Sequence, residues 1–181
     1  MIAVTSDESV LPANRGVWRI DTDGTTVTPH LIAQINSFHL EGVVTLTNDA
    51  TQWGPWAGKI ITGDEDLSMI FAVDTNGVTA PYALGIDPED FDIIPPDQDL
   101  YCVDPAGLIL KVSRNLLINY VGDLVVTQAG EHGEGGKLFI VHWDNLTTKF
   151  VTRSISYYTT YGFAGVFEHV TFAPINLPNL P

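Results

Sequence analysis

The sequence predicts an all-β protein, and two observations support this fold class. Stretches rich in Val, Ile, Thr and aromatic residues alternate with Gly, Pro, Asn and Asp, as expected for short strands joined by turns. Examples are GVWRID, KIITGD, MIFAVD, DLVVTQ and KLFIVHW. A helical period of apolar residues is never sustained, and its best candidate, RNLLINY at 114–120, is short.

The predicted strands recur as similar types. The clearest copies of one type are GVWRIDTDG at 16–24, MIFAVDTNG at 69–77 and the looser KLFIVHWDN at 137–145. Each ends in residues that accept the backbone of a tight hairpin turn, and a returning strand follows each turn. Another type precedes each copy and is anchored by Thr5, Thr62 and Thr127.

A fourth type carries Glu at its second position. Its copies are LEGVVTL at 40–46, PEDFDIIP at 88–95 and FEHVTFAP at 167–174. Four antiparallel strand types that return at roughly 50 residues are typical of a β-propeller blade. With the Glu strand counted first, the chain supplies three four-stranded blades. The strand at 167–174 then closes a first blade by pairing with residues 2–6, either within the chain or across the interface with another copy. The long gap between Glu89 and Thr127 predicts an insertion near 97–121.

Three blades do not easily close a ring, because sheet twist is limited and propellers have about 4–8 blades. We therefore interpret residues 1–181 as a single domain that forms half of a six-bladed ring, and we expect a homodimer. The alternative is that the chain is part of a longer propeller whose other blades are absent here.

Composition restricts the partners. The net charge of −14, from 22 acidic and 8 basic residues, disfavours nucleic acid and anionic membrane surfaces. It suits a cation, a basic partner or a neutral small-molecule substrate, or it serves solubility alone. No apolar run approaches the ~20 residues of a membrane span, and the N-terminus lacks signal-peptide features. Composition leans towards a secreted or periplasmic protein without fixing the compartment. The single cysteine, Cys102, is expected to be buried.

The recurring glutamates are the candidate metal ligands. Glu41, Glu89 and Glu168 occupy the same place in the strand that lines the channel of a propeller. Clustered carboxylates repel one another unless a proton or cation bridges them, and Ca²⁺ is a natural partner for oxygen ligands. Alternatively, each glutamate caps backbone N–H groups or faces solvent. His169 is a candidate general base or nitrogen ligand, with a structural histidine on the other strand face as the alternative.

Other motifs carry weaker hypotheses. Trp53 and Trp56, in W-G-P-W, form either an apolar ligand surface or a plug between blades. The acidic loops at 7–8, 64–66 and 131–134 do not have EF-hand spacing, and solvated loops are the favoured interpretation. Within them, His132 with Glu131 and Glu134 is the subset to test for a metal. The remaining histidines, at positions 30, 39 and 142, have no partner motif.

Fingerprints of the common hydrolases, zinc proteases and nucleotide-binding proteins do not occur. However, the blade order, LEG at 40–42, GKIITG at 58–63 and GDLVVT at 122–127 resemble six-bladed propellers of the gluconolactonase and senescence-marker-protein superfamily and related lactonase-like propellers. In that family a Glu in an E-G-P motif binds the central divalent metal, usually Ca²⁺.

The resemblance implies Glu41 as a metal ligand and lactone or ester hydrolysis as the activity. Such a metal polarises a carbonyl and lowers the pKa of a bound water. Here Val43 stands where the family has Pro, and the family's Asn and Asp ligands have no match in this chain. Two classes of function therefore remain open, a metal-dependent hydrolase and a non-catalytic ligand-binding or scaffold propeller.

Overall fold

The computed structural model describes residues 1–5, 11–103, 109–130, 136–155 and 167–174. Strands account for 53% of the residues and helix for two short segments, which confirms the all-β prediction. The described strands form four antiparallel sheets, and within them no closed barrel or propeller is detected. The chain was predicted as one domain, and it divides into two compact units, Met1–Pro88 (unit 1) and Glu89–Pro181 (unit 2).

Unit 1 contains a three-stranded and a four-stranded sheet, ordered β1-β2-β3 and β4-β5-β6-β7. Its strands are β1 (Ile2–Thr5), β2 (Gly16–Thr22), β3 (Val27–Gln34), β4 (Leu40–Thr45), β5 (Ile60–Asp64), β6 (Met69–Val73) and β7 (Thr79–Tyr82). Helix α1 (Ala50–Trp53) and a 3-10 turn (Gly54–Trp56) connect β4 to β5, and another 3-10 turn (Pro12–Asn14) precedes β2. The order β4-β5-β6-β7 is the predicted succession of the four strand types.

Apolar residues of both sheets form the core of unit 1. The buried members are Val17, Ala33, Ile35, Leu40, Ile60 and Val73. Since side chains alternate along a strand, β2 and β3 contribute one face of their sheet to this core. Strand β5 is buried at every position, so both of its faces are covered.

Unit 2 also contains a four-stranded and a three-stranded sheet, ordered β13-β12-β11-β8 and β10-β9-β14. Its strands are β8 (Phe91–Ile93), β9 (Gln98–Val103), β10 (Ile109–Val112), β11 (Leu124–Gln128), β12 (Lys137–Asp144), β13 (Lys149–Ile155) and β14 (His169–Pro174). Helix α2 (Arg114–Leu117) and a 3-10 turn (Ile118–Tyr120) precede β11. The core between its sheets includes Leu100, Cys102, Val125, Leu138, Ile140 and Val170. Strand β11, like β5, is buried at every position.

The described residues contain fourteen strands rather than the twelve predicted, because β9 and β10 form within the region expected to be an insertion. Helix was expected only there, yet α1 lies outside it. The Asp49 side chain accepts hydrogen bonds from the backbone N–H groups of Thr51 and Gln52, and this capping supports the extra turn of helix.

Within the chain, strand β14 does not pair with β1 (Ile2–Thr5), and pairing across an interface between two copies stays a prediction. Its register pairs His169 with Val103 and Phe172 with Leu100, so β9 occupies the place expected for residues 2–6. Along the opposite edge, Asp90 Oδ2 accepts a hydrogen bond from the Val170 N–H at 3.1 Å. The insertion thus supplies the pairing strand, and the side chain of Asp90, which immediately precedes β8, covers part of the second edge.

Asp92, two residues after Asp90, also accepts a hydrogen bond from a backbone N–H of β14, that of Phe172. Burial raises the pKa of the Asp92 carboxyl, and the nearby Asp90 adds to the rise, while backbone hydrogen bonds from Ile93 and Phe172 oppose it. Ionisation of Asp92 therefore costs more in the folded chain than in the unfolded one.

We expect Asp92→Asn to raise the melting temperature at neutral pH and to change it little below the ordinary aspartate pKa of about 4. The wild-type chain loses stability as the pH rises through the raised folded pKa, and asparagine removes that loss while still accepting a hydrogen bond. Melting curves at both pH values measure the effect. Asp144→Asn is the matched control, because hydrogen bonds from the Thr147 hydroxyl and the Leu146 N–H lower the pKa of Asp144. It should lose stability at neutral pH, and an equal loss in Asp92→Asn would contradict the prediction.

Candidate metal centre

Three potential metal ligands meet at one end of the β4–β5 hairpin. The Nδ1 atom of His39 lies 2.6 Å from Asp66 Oδ2 and 3.6 Å from Glu65 Oε1. One ligand atom from each residue lies within 4.8 Å of the other two. Within the part of the chain that the structure describes, this is the one such group of three. We call it the His39 cluster.

The pairing of β4 with β5 brings the cluster together. Leu40 is in register with Asp64, so His39, immediately before β4, and Glu65, immediately after β5, lie at the same end of the strand pair. The buried Asp64 fixes the turn after β5, since its Oδ1 accepts the Leu67 N–H at 2.9 Å. On the other side, the buried Ser37 hydroxyl accepts the His39 N–H at 3.1 Å. The segment before β4 and the turn after β5, which carry the three ligands, are therefore both held by hydrogen bonds.

The donor set indicates which ions fit. The Glu65 side chain is only 12% exposed, whereas those of His39 and Asp66 are nearly half exposed. An imidazole nitrogen with two carboxylate oxygens suits Zn²⁺ and other divalent first-row metals. Ca²⁺ prefers six to eight oxygen ligands, so a histidine ligand makes it a poorer match. Three protein ligands also leave coordination positions open.

Sequence reasoning missed this cluster. His39 was left without a partner, and residues 64–66 were interpreted as a solvated loop, which is wrong for the buried Asp64 and the mostly buried Glu65. The only local signal was the run of carboxylates. Its histidine partner lies far away in the sequence, and the strand register that joins them is not a local property.

The predicted glutamate ligands lie elsewhere, and none belongs to the His39 cluster. Glu41 is in β4, in register with Gly63, and is partly exposed. Glu89 is 5% exposed, and its N–H donates to the Thr127 carbonyl at 2.9 Å. Glu168 is partly exposed, and its N–H donates to the Val103 carbonyl. Their convergence on a shared calcium ion stays a prediction.

His169, the predicted general base, is on an exposed face of unit 2. Its Nδ1 lies 3.9 Å from Asp90 Oδ2, which is beyond hydrogen-bond distance. It lines an open, largely apolar cavity of about 340 Å³ together with Tyr101, Val103 and Ile109. Among the described residues, His169 belongs to no group of three potential metal ligands, and its catalytic role stays a prediction.

Both predicted ligand-binding tryptophans are buried. Trp53 is 3% exposed, and its Nε1 donates to the Thr47 hydroxyl at 2.9 Å. Trp56 is 0% exposed and meets the Tyr82 ring edge-on at 5.4 Å between centroids. These positions favour the packing role that was the alternative to a ligand surface.

The other sequence hypotheses have mixed outcomes. Cys102 is buried as expected, and burial raises the pKa of its thiol to about 12. The subset His132, Glu131 and Glu134 lies outside the described residues, as does the acidic pair at 7–8. His30 and His142 each lie near one carboxylate, at 3.3 and 2.7 Å, and neither belongs to a described group of three ligands. None of the described helices is long and apolar enough to cross a membrane.

Comparison with known proteins gave no match to a family model, to a curated protein or to a solved structure. The interpretation of the site therefore depends on its own geometry and donor chemistry.

Proposed function

We propose that this protein binds a divalent metal ion through His39, Glu65 and Asp66. The observation that carries the proposal is the meeting of one imidazole nitrogen and two carboxylate oxygens within 4.8 Å at a hairpin end fixed by hydrogen bonds. A cation there relieves the repulsion between the two carboxylates. Zn²⁺ is the ion that best fits the donors.

We further propose hydrolysis of a lactone or ester as the reaction class, with a neutral small molecule as substrate. A metal held by three protein ligands has room for water and a substrate carbonyl, which is the arrangement that hydrolytic metal catalysis needs. Partial exposure of His39 and Asp66 leaves the site accessible from solvent. The alternative is a non-catalytic binding or scaffold protein in which the ion stabilises the hairpin.

The proposed architecture is half of a six-bladed β-propeller. Its support is the predicted strand order in β4-β5-β6-β7 and the burial of β5 and β11 on both faces. Inner strands of packed blades are covered on both sides, whereas a sheet with one solvated face alternates apolar and polar residues.

We expect His39→Ala to weaken Zn²⁺ binding by at least about 100-fold, because even the loss of a group that only supports a ligand costs about 10–100-fold. Isothermal titration of the metal-free chain with Zn²⁺ measures the change, and Ca²⁺ should bind more weakly than Zn²⁺. The matched control is His30→Ala, since His30 has nearly the same side-chain exposure, 47% against 46%, and lies near a single carboxylate. It should retain wild-type affinity.

Two results would contradict the metal site. One is unchanged Zn²⁺ affinity in His39→Ala, and the other is a preference for Ca²⁺ that Glu41→Gln abolishes. A lactone and ester activity screen then separates the two functional classes. Metal-dependent turnover that is lost in His39→Ala supports the hydrolase, and metal binding without turnover supports the scaffold.

A further inference from the structure

The sheet of β1, β2 and β3 has an apolar outer face. Val17 and Ala33, paired across β2 and β3, point into the core, so the next pairs along the strands point outwards. We call this outer face, formed by Ala3, Trp18, Ile20, Val27, Pro29 and Leu31, face 1. Val27 is 66% exposed and Leu31 is 40% exposed.

Charged residues of this sheet lie on the opposite side. Arg19 is in register with His30 on the side of Val17, and both lie near the Asp21 carboxylate, at 3.0 and 3.3 Å. The side chains on face 1 are uncharged, although the polar Thr5 and Thr22 share it and the Met1 ammonium donates to the Ile20 carbonyl beside it. A solvated sheet face normally carries polar residues, so an uncharged and exposed face indicates an interaction surface.

The sheet of β10, β9 and β14 has a corresponding outer face. Leu100, Cys102 and Val170 point into the core of unit 2, and the residues between them point outwards. We call this surface, formed by Tyr101, Val103, Ile109, His169, Thr171 and Ala173, face 2.

Face 2 is mainly apolar, since Val103 is 43% exposed and Ile109 is 72% exposed, beside the open cavity of about 340 Å³. Lys111 on this side is neutralised by Asp99, whose Oδ2 lies 2.6 Å from Nζ. Each three-stranded sheet therefore leaves one apolar face exposed, whereas the inner strands β5 and β11 of the four-stranded sheets are covered on both faces.

The area of these faces fits a partner that covers both. Three strands at a spacing of ~4.8 Å and about six residues at ~3.3 Å give a footprint of roughly 280 Å² per face. One contact between two such faces buries about 560 Å², which is below the roughly 1,000 Å² of a specific interface. Two contacts together bury about 1,100 Å² and reach it.

We propose that face 1 of one copy packs against face 2 of a second copy, and the reverse, so that two chains form a closed two-fold homodimer. This inference rests on the proposed half-ring but does not depend on the metal site. A closed pair uses each face once, whereas contacts of face 1 with itself would leave face 2 exposed. Each copy carries a charge of −14, so contact faces without unpaired acidic side chains limit repulsion, and added salt should strengthen the dimer.

Sedimentation or light scattering should give the wild-type chain a mass of about twice 19.7 kDa. Leu31→Glu and Val103→Glu each place a charge on one face and should each yield a monomer. The matched control is Val151→Glu on the edge strand β13, with a similar exposure of 46%. It should remain a dimer. Zn²⁺ titration of the Leu31→Glu monomer should still show binding, which separates this proposal from the metal proposal.

Cross-linking tests the pairing without adding charge. A short bismaleimide should join chains in an equimolar mixture of Leu31→Cys and Val103→Cys and give little product with either variant alone. The buried Cys102 makes the wild-type chain an unreactive control. A monomeric wild-type chain would overturn the proposal. So would a dimeric Val103→Glu variant, or a yield of cross-linked product from Leu31→Cys alone that equals or exceeds the yield from the mixture.

Discussion

Replacing Trp56 with alanine is expected to destabilise the chain by about 3–5 kcal/mol, the usual range for removing a large aromatic residue from a core. Trp56 is 0% exposed, and its ring contacts Tyr82 edge-on. Alanine would leave a cavity that the surrounding strands can fill only in part, so the lost transfer energy and the lost contacts add together. Urea denaturation of the two chains measures the difference.

The control for this substitution is Trp143→Ala. Trp143 also has an edge contact, with Phe150 at 5.0 Å, but it is only partly buried. Its loss should cost about 1 kcal/mol, mainly from the ring pair. Equal losses for the two variants would show that Trp56 does not have a core role and would restore the hypothesis of a ligand surface.

Gly77→Ala is the second substitution with a large expected effect. Gly77 has φ of +82°, and a Cβ atom there would collide with the backbone carbonyl oxygen of Ile32. The left-handed backbone costs alanine about 1–2 kcal/mol. The required shift of β3 adds about 1–3 kcal/mol, as in other overpacked sites. Thermal or urea denaturation should therefore show a loss of roughly 2–5 kcal/mol in total.

Gly24→Ala separates these two terms. Gly24 stands in the same Asp-Thr-x-Gly sequence and has a similar φ of +90°, but it is the second residue of the 23–26 loop, and a Cβ atom there meets nothing within 4 Å. It should show only the backbone cost of about 1–2 kcal/mol. Equal losses of stability in Gly77→Ala and Gly24→Ala would contradict the close approach of the β6–β7 turn to β3.

Local rules explain which parts of the fold were predictable. In the turns that follow β2 and β6, Asp23 and Asp74 each accept hydrogen bonds from backbone N–H groups of their own turn, so a few neighbouring residues determine each hairpin. The bonds from Thr26 and Thr25 are strong enough to lower the pKa of Asp23 to about 2. The anchoring threonine was also recognised, since the buried Thr62 hydroxyl donates to the Gly42 carbonyl at 2.9 Å.

Competition between distant segments explains what was not predictable. Both β9 and residues 2–6 have strand character, and local preference does not decide which of them pairs with β14. The partner of β14 is instead determined by its register with β9 and by the Asp90 carboxylate, which accepts a hydrogen bond from the Val170 N–H. The same holds for the metal site, because His39 meets Glu65 only through the pairing of β4 with β5.

One repeat was missed although its signal is local. Asp49 and Ser113 each accept a backbone hydrogen bond at the start of a short helix. The fourth helical residue is buried in both, as Trp53 and Leu117, and a glycine with positive φ follows each 3-10 turn. In both, a capping residue is followed by an apolar residue four positions later, which is a local signal of a helix start.

Anomalous diffraction at the zinc absorption edge, from crystals grown with Zn²⁺, tests the metal site most directly. We expect a peak about 2.0–2.2 Å from a His39 ring nitrogen and from carboxylate oxygens of Glu65 and Asp66. A peak bound by Glu41, Glu89 or Glu168 without His39, or no ordered zinc at the end of the β4–β5 hairpin, would contradict it.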